Sequence, residues 1–144
     1  MGVTSAFEGG SIELVSIDET NDAAAGPACA ITLRLTADPA CTAEGGAEYK
    51  QWFSFRVTGA RGRALKVVIE NTSEAMCADG LSEGYFARGS YDGNAWTPLR
   101  TSYREGDGVL TIEHTPASNV LHIAAFAPYT LRYLLKDPCC EFLK

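Results

Sequence analysis

The chain has 144 residues, of which 46% are hydrophobic and 21% charged, and a formal net charge of −6, so one folded core is expected and its surface repels polyanions. No segment approaches the ~20 apolar residues that a membrane-spanning helix needs, and the basic residues form no aromatic-interleaved stripe, so neither a membrane nor a nucleic acid is an expected partner. Residues 1–10 carry the acidic Glu8 and no apolar leader, which sets the expectation of a cytoplasmic chain. There the odd set Cys29, Cys41, Cys77, Cys139 and Cys140, without a CxxC pair, stays as thiols rather than disulfides or a zinc ribbon.

Along the chain, apolar and polar residues alternate with period two, the pattern of half-buried strands. Gly9-Gly10 marks a first turn, and residues 18–27, polar and then Ala-rich, read as a loop. Ile31, Leu33 and Leu35 alternate with Thr32 and Arg34. After turn signals at Asp38-Pro39 and Gly45-Gly46, Phe53, Phe55 and Val57 share one face while Trp52, Ser54 and Arg56 share the other. The stretch Gly59-Ala60-Arg61-Gly62-Arg63 reads as a basic turn, followed by the stripe Leu65, Val67 and Ile69 and a second loop at 74–83. Asp92-Gly93, between Tyr91 and Trp96, predicts a tight hairpin because Asp-Gly accepts positive φ. Gly106-Asp107-Gly108 leads into Leu110 and Ile112, and Leu121 and Ile123 close the series. Residues 131–135 are an option for a short C-terminal helix, which Pro138 would end. About eight strands without an intervening helix predict an all-β, antiparallel, jelly-roll-like β-sandwich over residues 1–130, with 131–144 as a tail.

Chemistry is scarce. The histidines are His114 and His122, each with Ala at the third following position, so neither opens a His-x-x-Glu zinc motif, and both are expected to serve as sheet residues. No Gly-x-Ser-x-Gly elbow or phosphate loop is present. Arg56, Arg61, Arg63 and Lys66 could form a small cationic patch, with a solvated turn as the simpler reading. The acids Glu8, Asp18, Glu19, Glu105 and Asp107 stand beside turn signals, where carboxylates cap amides. Asn71-Thr72-Ser73 matches a glycosylation sequon, read as chance. The aromatics Trp52, Tyr85, Tyr91, Trp96 and Tyr103 either pack or form a stacking platform for a sugar. The expected catalytic and metal-binding residues are none.

Short motifs in a fixed order carry a resemblance. They are Phe7-Glu8-Gly9-Gly10-Ser11-Ile12-Glu13, Trp52-Phe53-Ser54-Phe55-Arg56-Val57 with Gly59, Ile69-Glu70-Asn71, Gly84-Tyr85, Ser90-Tyr91-Asp92 with Trp96, Thr101 with Tyr103, and Phe126-Ala127-Pro128-Tyr129-Thr130. With them the chain resembles the N-terminal β-sandwich domain that precedes the zinc peptidase domain of cytosolic carboxypeptidases and their bacterial relatives. It departs from that pattern at Leu81, where an aromatic is expected, and at Asp137-Pro138-Cys139-Cys140, where the link to the peptidase domain would begin.

The resemblance implies a non-catalytic accessory domain. The family's zinc ligands, substrate-binding arginines and catalytic glutamate belong to a peptidase domain expected to be missing from this chain, so no cofactor is expected on it. The implied partner is that peptidase domain, in cis or in trans, in a setting where C-terminal residues, often glutamate, are removed. Phe126, Pro128, Tyr129, Thr130, Arg132 and Tyr133 would lie at the joint, and a face built for docking makes self-association an option. The competing reading is an independent carbohydrate- or small-ligand-binding module on Trp52, Tyr85, Tyr91 and Trp96.

Overall fold

The computed structural model describes residues 1–22, 26–38, 48–75 and 84–131. Ten strands are defined there: β1 (Gly2–Thr4), β2 (Glu13–Asp22), β3 (Gly26–Arg34), β4 (Ser54–Thr58), β5 (Ala64–Ile69), β6 (Arg88–Ser90), β7 (Thr97–Pro98), β8 (Arg100–Arg104), β9 (Val109–His114) and β10 (Val120–Ala124). They form two five-stranded sheets, sheet I in the order β1-β4-β10-β6-β7 and sheet II in the order β2-β3-β5-β9-β8. The architecture is the all-β sandwich expected from the alternation. All ladders are antiparallel except β3–β5, which runs parallel because the chain crosses to sheet I for β4 before returning.

The apolar stripes meet between the sheets. Phe53, Phe55, Val57, Leu121 and Ile123 from the side of sheet I join Ile31, Leu33, Leu65, Val67, Ile69, Leu110 and Ile112 from sheet II in one buried cluster. Each such large side chain contributes roughly 1.5–3 kcal/mol relative to staying in water, which makes this interdigitated layer the main source of stability.

The loop expected at 18–27 is instead strand at both ends, since β2 runs to Asp22 and β3 starts at Gly26, with Asp18 opposite Ala30 and Thr20 opposite Ala28. β2 is an edge strand, so its polar residues face water and its sequence lacks an apolar stripe. Charged edges also discourage pairing with other chains. The tight hairpin expected at Asp92-Gly93 is a wider connection over 91–96. Asp92 Oδ1 organises it by accepting from Ser90 Oγ (3.0 Å), the Asn94 amide (2.8 Å) and the Ala95 amide (2.9 Å). Of the second loop, Glu74 closes a 3₁₀ turn (Thr72–Glu74), and 76–83 lie outside the described residues, as does the helix expected over 131–135 beyond Leu131.

Asn71 extends the β3–β5 ladder with its side chain. Its Oδ1 accepts from the Leu35 amide (2.7 Å), and its Nδ2 donates to the Leu35 carbonyl (3.2 Å) and to Glu74 Oε2 (3.3 Å). The residue is buried, so the sequon is occupied by the fold rather than offered to a glycan. Next to it, Thr72 donates through Oγ1 to the Gly108 carbonyl (2.6 Å).

Candidate functional site

The outward face of sheet I carries Arg56, His122 and Arg88, with Trp52 and Phe126 just past the strand ends. Because Phe53, Phe55 and Val57 point inward, Trp52, Ser54 and Arg56 point outward. The register sets Arg56 beside His122 and His122 beside Ser90, then Ser54 beside Ala124 and Ala124 beside Arg88. One pleat further, Trp52 and Phe126 stack with ring centroids 4.3 Å apart at 59°. Leading into the neighbouring strand β6, Phe86 lies two residues before Arg88, which faces Ala124. Phe126 is 61% exposed, Phe86 50%, and beyond them Tyr129 and Leu131 are 66% and 55% exposed.

The segment before β2 folds over this face. Trp52 Nε1 donates to the Gly9 carbonyl (2.6 Å), and Glu8 Oε1 accepts from the Leu131 amide (2.9 Å). Gly10 permits that turn, since a Cβ there would fall 1.9 Å from the Ser5 carbonyl oxygen. Phe7 packs edge-on to His122 (centroids 6.1 Å apart, 73°) and lies under the Arg56 guanidinium at 5.2 Å, a cation–π contact. Burial, with a smaller contribution from Arg56, holds the His122 pKa below its ordinary value, so the ring stays neutral beside the guanidinium. Burial also pushes up the Tyr85 pKa, and its hydroxyl donates to the Ala125 carbonyl (2.6 Å).

Of the joint residues taken from the resemblance, Phe126, Pro128, Tyr129 and Thr130 follow β10 directly, while Arg132 and Tyr133 lie outside the described residues. The four aromatics considered as a platform divide between the two ends of sheet I. Trp52 and Tyr85 stand at the end where β10 exits. Tyr91 and Trp96 flank the 91–96 connection at the other, where Tyr91 Oη accepts from the Ala117 amide (3.0 Å) and shares a hydrogen bond with His114 Nε2 (2.9 Å), and Trp96 Nε1 donates to the Gly93 carbonyl (3.3 Å). Tyr103 packs partly buried against the core from β8.

The cationic patch considered around the Gly59–Gly62 turn is dispersed. Arg56 belongs to sheet I, Lys66 to sheet II, and Arg63 pairs with Glu19 at 3.2 Å. The acids beside turns have structural partners too: Glu8 holds Leu131, Asp18 accepts from Ser16 Oγ, and Asp107 pairs with Arg104. His114 and His122 stand on different sheets, and among the described residues no group of three or more His, Cys, Asp or Glu is placed to hold a metal ion. A zinc ion does not fit this described residue set. Cys29 is a buried free thiol; the other cysteines lie outside the described residues. A cavity of about 750 Å³ opens beside Trp52, lined also by Ser11, Thr36, Tyr49 and Gln51. Among the described residues no helix is long and apolar enough to cross a membrane.

Residues 3–126 match the family described as cytosolic carboxypeptidase N-terminal domain. The chain belongs to that family. This cytosolic carboxypeptidase N-terminal domain is 36% identical over 129 residues to an uncharacterized protein of Zymomonas mobilis, covering 90% of this chain and 29% of that protein. A metallo-carboxypeptidase from Burkholderia cenocepacia superposes with a TM-score of 0.73 at 33% identity, covering 92% of this chain and 31% of that one. A metallo-carboxypeptidase from Pseudomonas aeruginosa, solved in complex with (2-guanidinoethylmercapto)succinic acid, gives a TM-score of 0.74 at 26% identity, covering 94% and 33%. The N-terminal domain thus spans about a third of the length of the relatives it matches.

Phe86, Arg88 and His122 are not legible as members of this face from the sequence. The signal for Phe86 is its alternation with the buried Ala87, but β6 is only Arg88–Ser90, too short for the period to stand out.

Proposed function

We propose that the chain is a non-catalytic accessory domain of a cytoplasmic metallocarboxypeptidase-like protein, docking through the outward face of sheet I against a peptidase domain in the same polypeptide or on a separate one. In this reading residues 1–130 are the sandwich and 131–144 lead toward the joint. The peptidase domain holds the zinc and removes C-terminal residues, often glutamate, from its substrates. The observation that carries the reading is the set of exposed apolar side chains Phe86, Phe126, Tyr129 and Leu131, with the partly buried Trp52 packed on Phe126, around the place where the chain leaves β10.

Covering the exposed part of the Phe126 ring contributes on the order of 1–2 kcal/mol, about tenfold in Kd. The test is isothermal titration of this chain with its separately produced peptidase domain. Phe126→Ala and Tyr129→Ala are each expected to weaken binding about tenfold without changing the chain's own melting temperature by more than a few degrees. Wild-type-like binding by both would sink the reading, and concentration-dependent dimerisation without peptidase binding would replace it with self-association.

The cavity beside Trp52 favours a second reading, because its volume of about 750 Å³ suits a small polar ligand. Calorimetry against a glycan panel tests it; saturable binding abolished by Trp52→Ala is the result it requires.

A further inference from the structure

We propose that Arg56 and Arg88 are the charged anchor of this face, and that the peptidase domain meets them with carboxylate side chains. The inference rests on the docking reading above and adds the chemistry of the partner surface.

The other arginines show what is unusual here. Arg34, Arg63, Arg100 and Arg104, all on sheet II or leading into it, each pair with a carboxylate. Arg56 and Arg88, the two on the outward face of sheet I, have no carboxylate within ion-pair distance among the described residues. Arg61 and Lys66 also lack one, but both are exposed. Arg56 and Arg88 are half-buried, and the Arg56 Nε–H has no acceptor among the described residues; Arg63 Nη1 also lacks a hydrogen bond but has the Glu19 carboxylate within ion-pair distance. A half-buried guanidinium without a carboxylate is costly to leave unpaired, so its counter-charge is expected from outside the described residues.

The nearby acids are already committed: Glu8 to the Leu131 amide and Asp92 to Ser90 Oγ and two backbone amides. His122, opposite Arg56 on the strand between those of the two arginines, is kept neutral and adds no competing charge. The geometry suits a carboxylate. Arg56 offers a planar fork that matches one bidentately, with Phe7 backing the guanidinium, and past the Ser54–Ala124–Arg88 row the Trp52–Phe126 pair supplies an apolar rim. In the longer relatives about two thirds of the protein is left to supply that partner surface, and the exit of β10 brings the following segment onto this face.

The experiment is calorimetric titration of the peptidase domain with the wild-type chain, Arg56→Gln, Arg88→Gln and the control Arg61→Gln, at low and high ionic strength. Thermal melts identify any variant that has not folded; Arg88→Gln, on a different strand, keeps the test independent of Arg56. Each of Arg56→Gln and Arg88→Gln is expected to weaken binding by roughly 30-fold or more and to reduce its salt dependence, while Arg61→Gln binds like wild type. If the wild type binds and both arginine variants bind within about threefold of it, the anchor is wrong and the docking reading stands. If the wild type itself does not bind, the docking reading fails and takes the anchor with it. Binding of inorganic phosphate to wild type but of no peptidase domain also overturns the proposal.

Discussion

Replacing Asn71 with Ala removes the side chain that continues the β3–β5 ladder. Three hydrogen bonds disappear, two of them to the backbone of Leu35, which is buried at 3% exposure. The Leu35 amide and carbonyl are then left without partners in a site closed to water, and each such group costs ~1–3 kcal/mol. Water entering the space left by the amide recovers part of this, so Asn71→Ala is expected to cost about 2–4 kcal/mol, a large share of the ~5–15 kcal/mol that holds a domain of this kind together. Asn71→Asp is expected to cost at least as much, because its second oxygen would face the Leu35 carbonyl and Glu74 instead of donating to them. Equilibrium urea unfolding measures both, with the midpoint falling and the slope unchanged. A loss below about 0.5 kcal/mol for Asn71→Ala would refute the view that this amide acts as a ladder partner.

Gly108→Ala sets a Cβ 2.3 Å from Ser73 Cβ at a φ of +59° and is expected to destabilise by about 2 kcal/mol or more, read by the same unfolding curve. Tyr85→Phe strands the buried Ala125 carbonyl and should cost about 1–2 kcal/mol, with a lowered thermal midpoint. The pH dependence has a definite sign. Burial holds the pKa values of both His114 and His122 below their ordinary 6.5, so the unfolded chain binds protons first. Stability is therefore full above 6.5, falls as pH drops through that value, and levels off below the folded pKa values. His122→Gln is expected to shrink this step in thermal melts, and an unchanged profile would contradict the assignment. At lower pH Asp92 and Glu74 take over. Backbone amides of Asn94 and Ala95, and for Glu74 the Lys50 ammonium, depress their pKa values, so their contribution is lost as these carboxyls protonate.

The inward stripes could be read from the sequence because their neighbours in space repeat their pattern: Phe53, Phe55 and Val57 are all fully buried, as alternation predicts for a sheet with one wet face. β2 could not, since an edge strand in water has no apolar stripe and Asp18, Glu19 and Thr20 look like a loop. The wide 91–96 connection was hidden because Asp-Gly fits both a two-residue turn and an Asp-capped loop, and the choice lies in the bonds Asp92 makes to Asn94 and Ala95. Part of the candidate face was legible, Phe126 and Tyr129 through the resemblance and Trp52 through its alternation. The juxtaposition of Arg56, His122 and Arg88 was not, because it depends on β10 inserting between β4 and β6, a long-range pairing that no local period encodes.

The central claim, docking through the outward face of sheet I, is tested most directly by backbone amide NMR of this chain with and without its peptidase domain. The account predicts that shift changes and exchange protection concentrate in residues 52–56, 86–90 and 122–131. Changes confined to β2 and β8 of sheet II, or none at a saturating concentration of the peptidase domain, would contradict it.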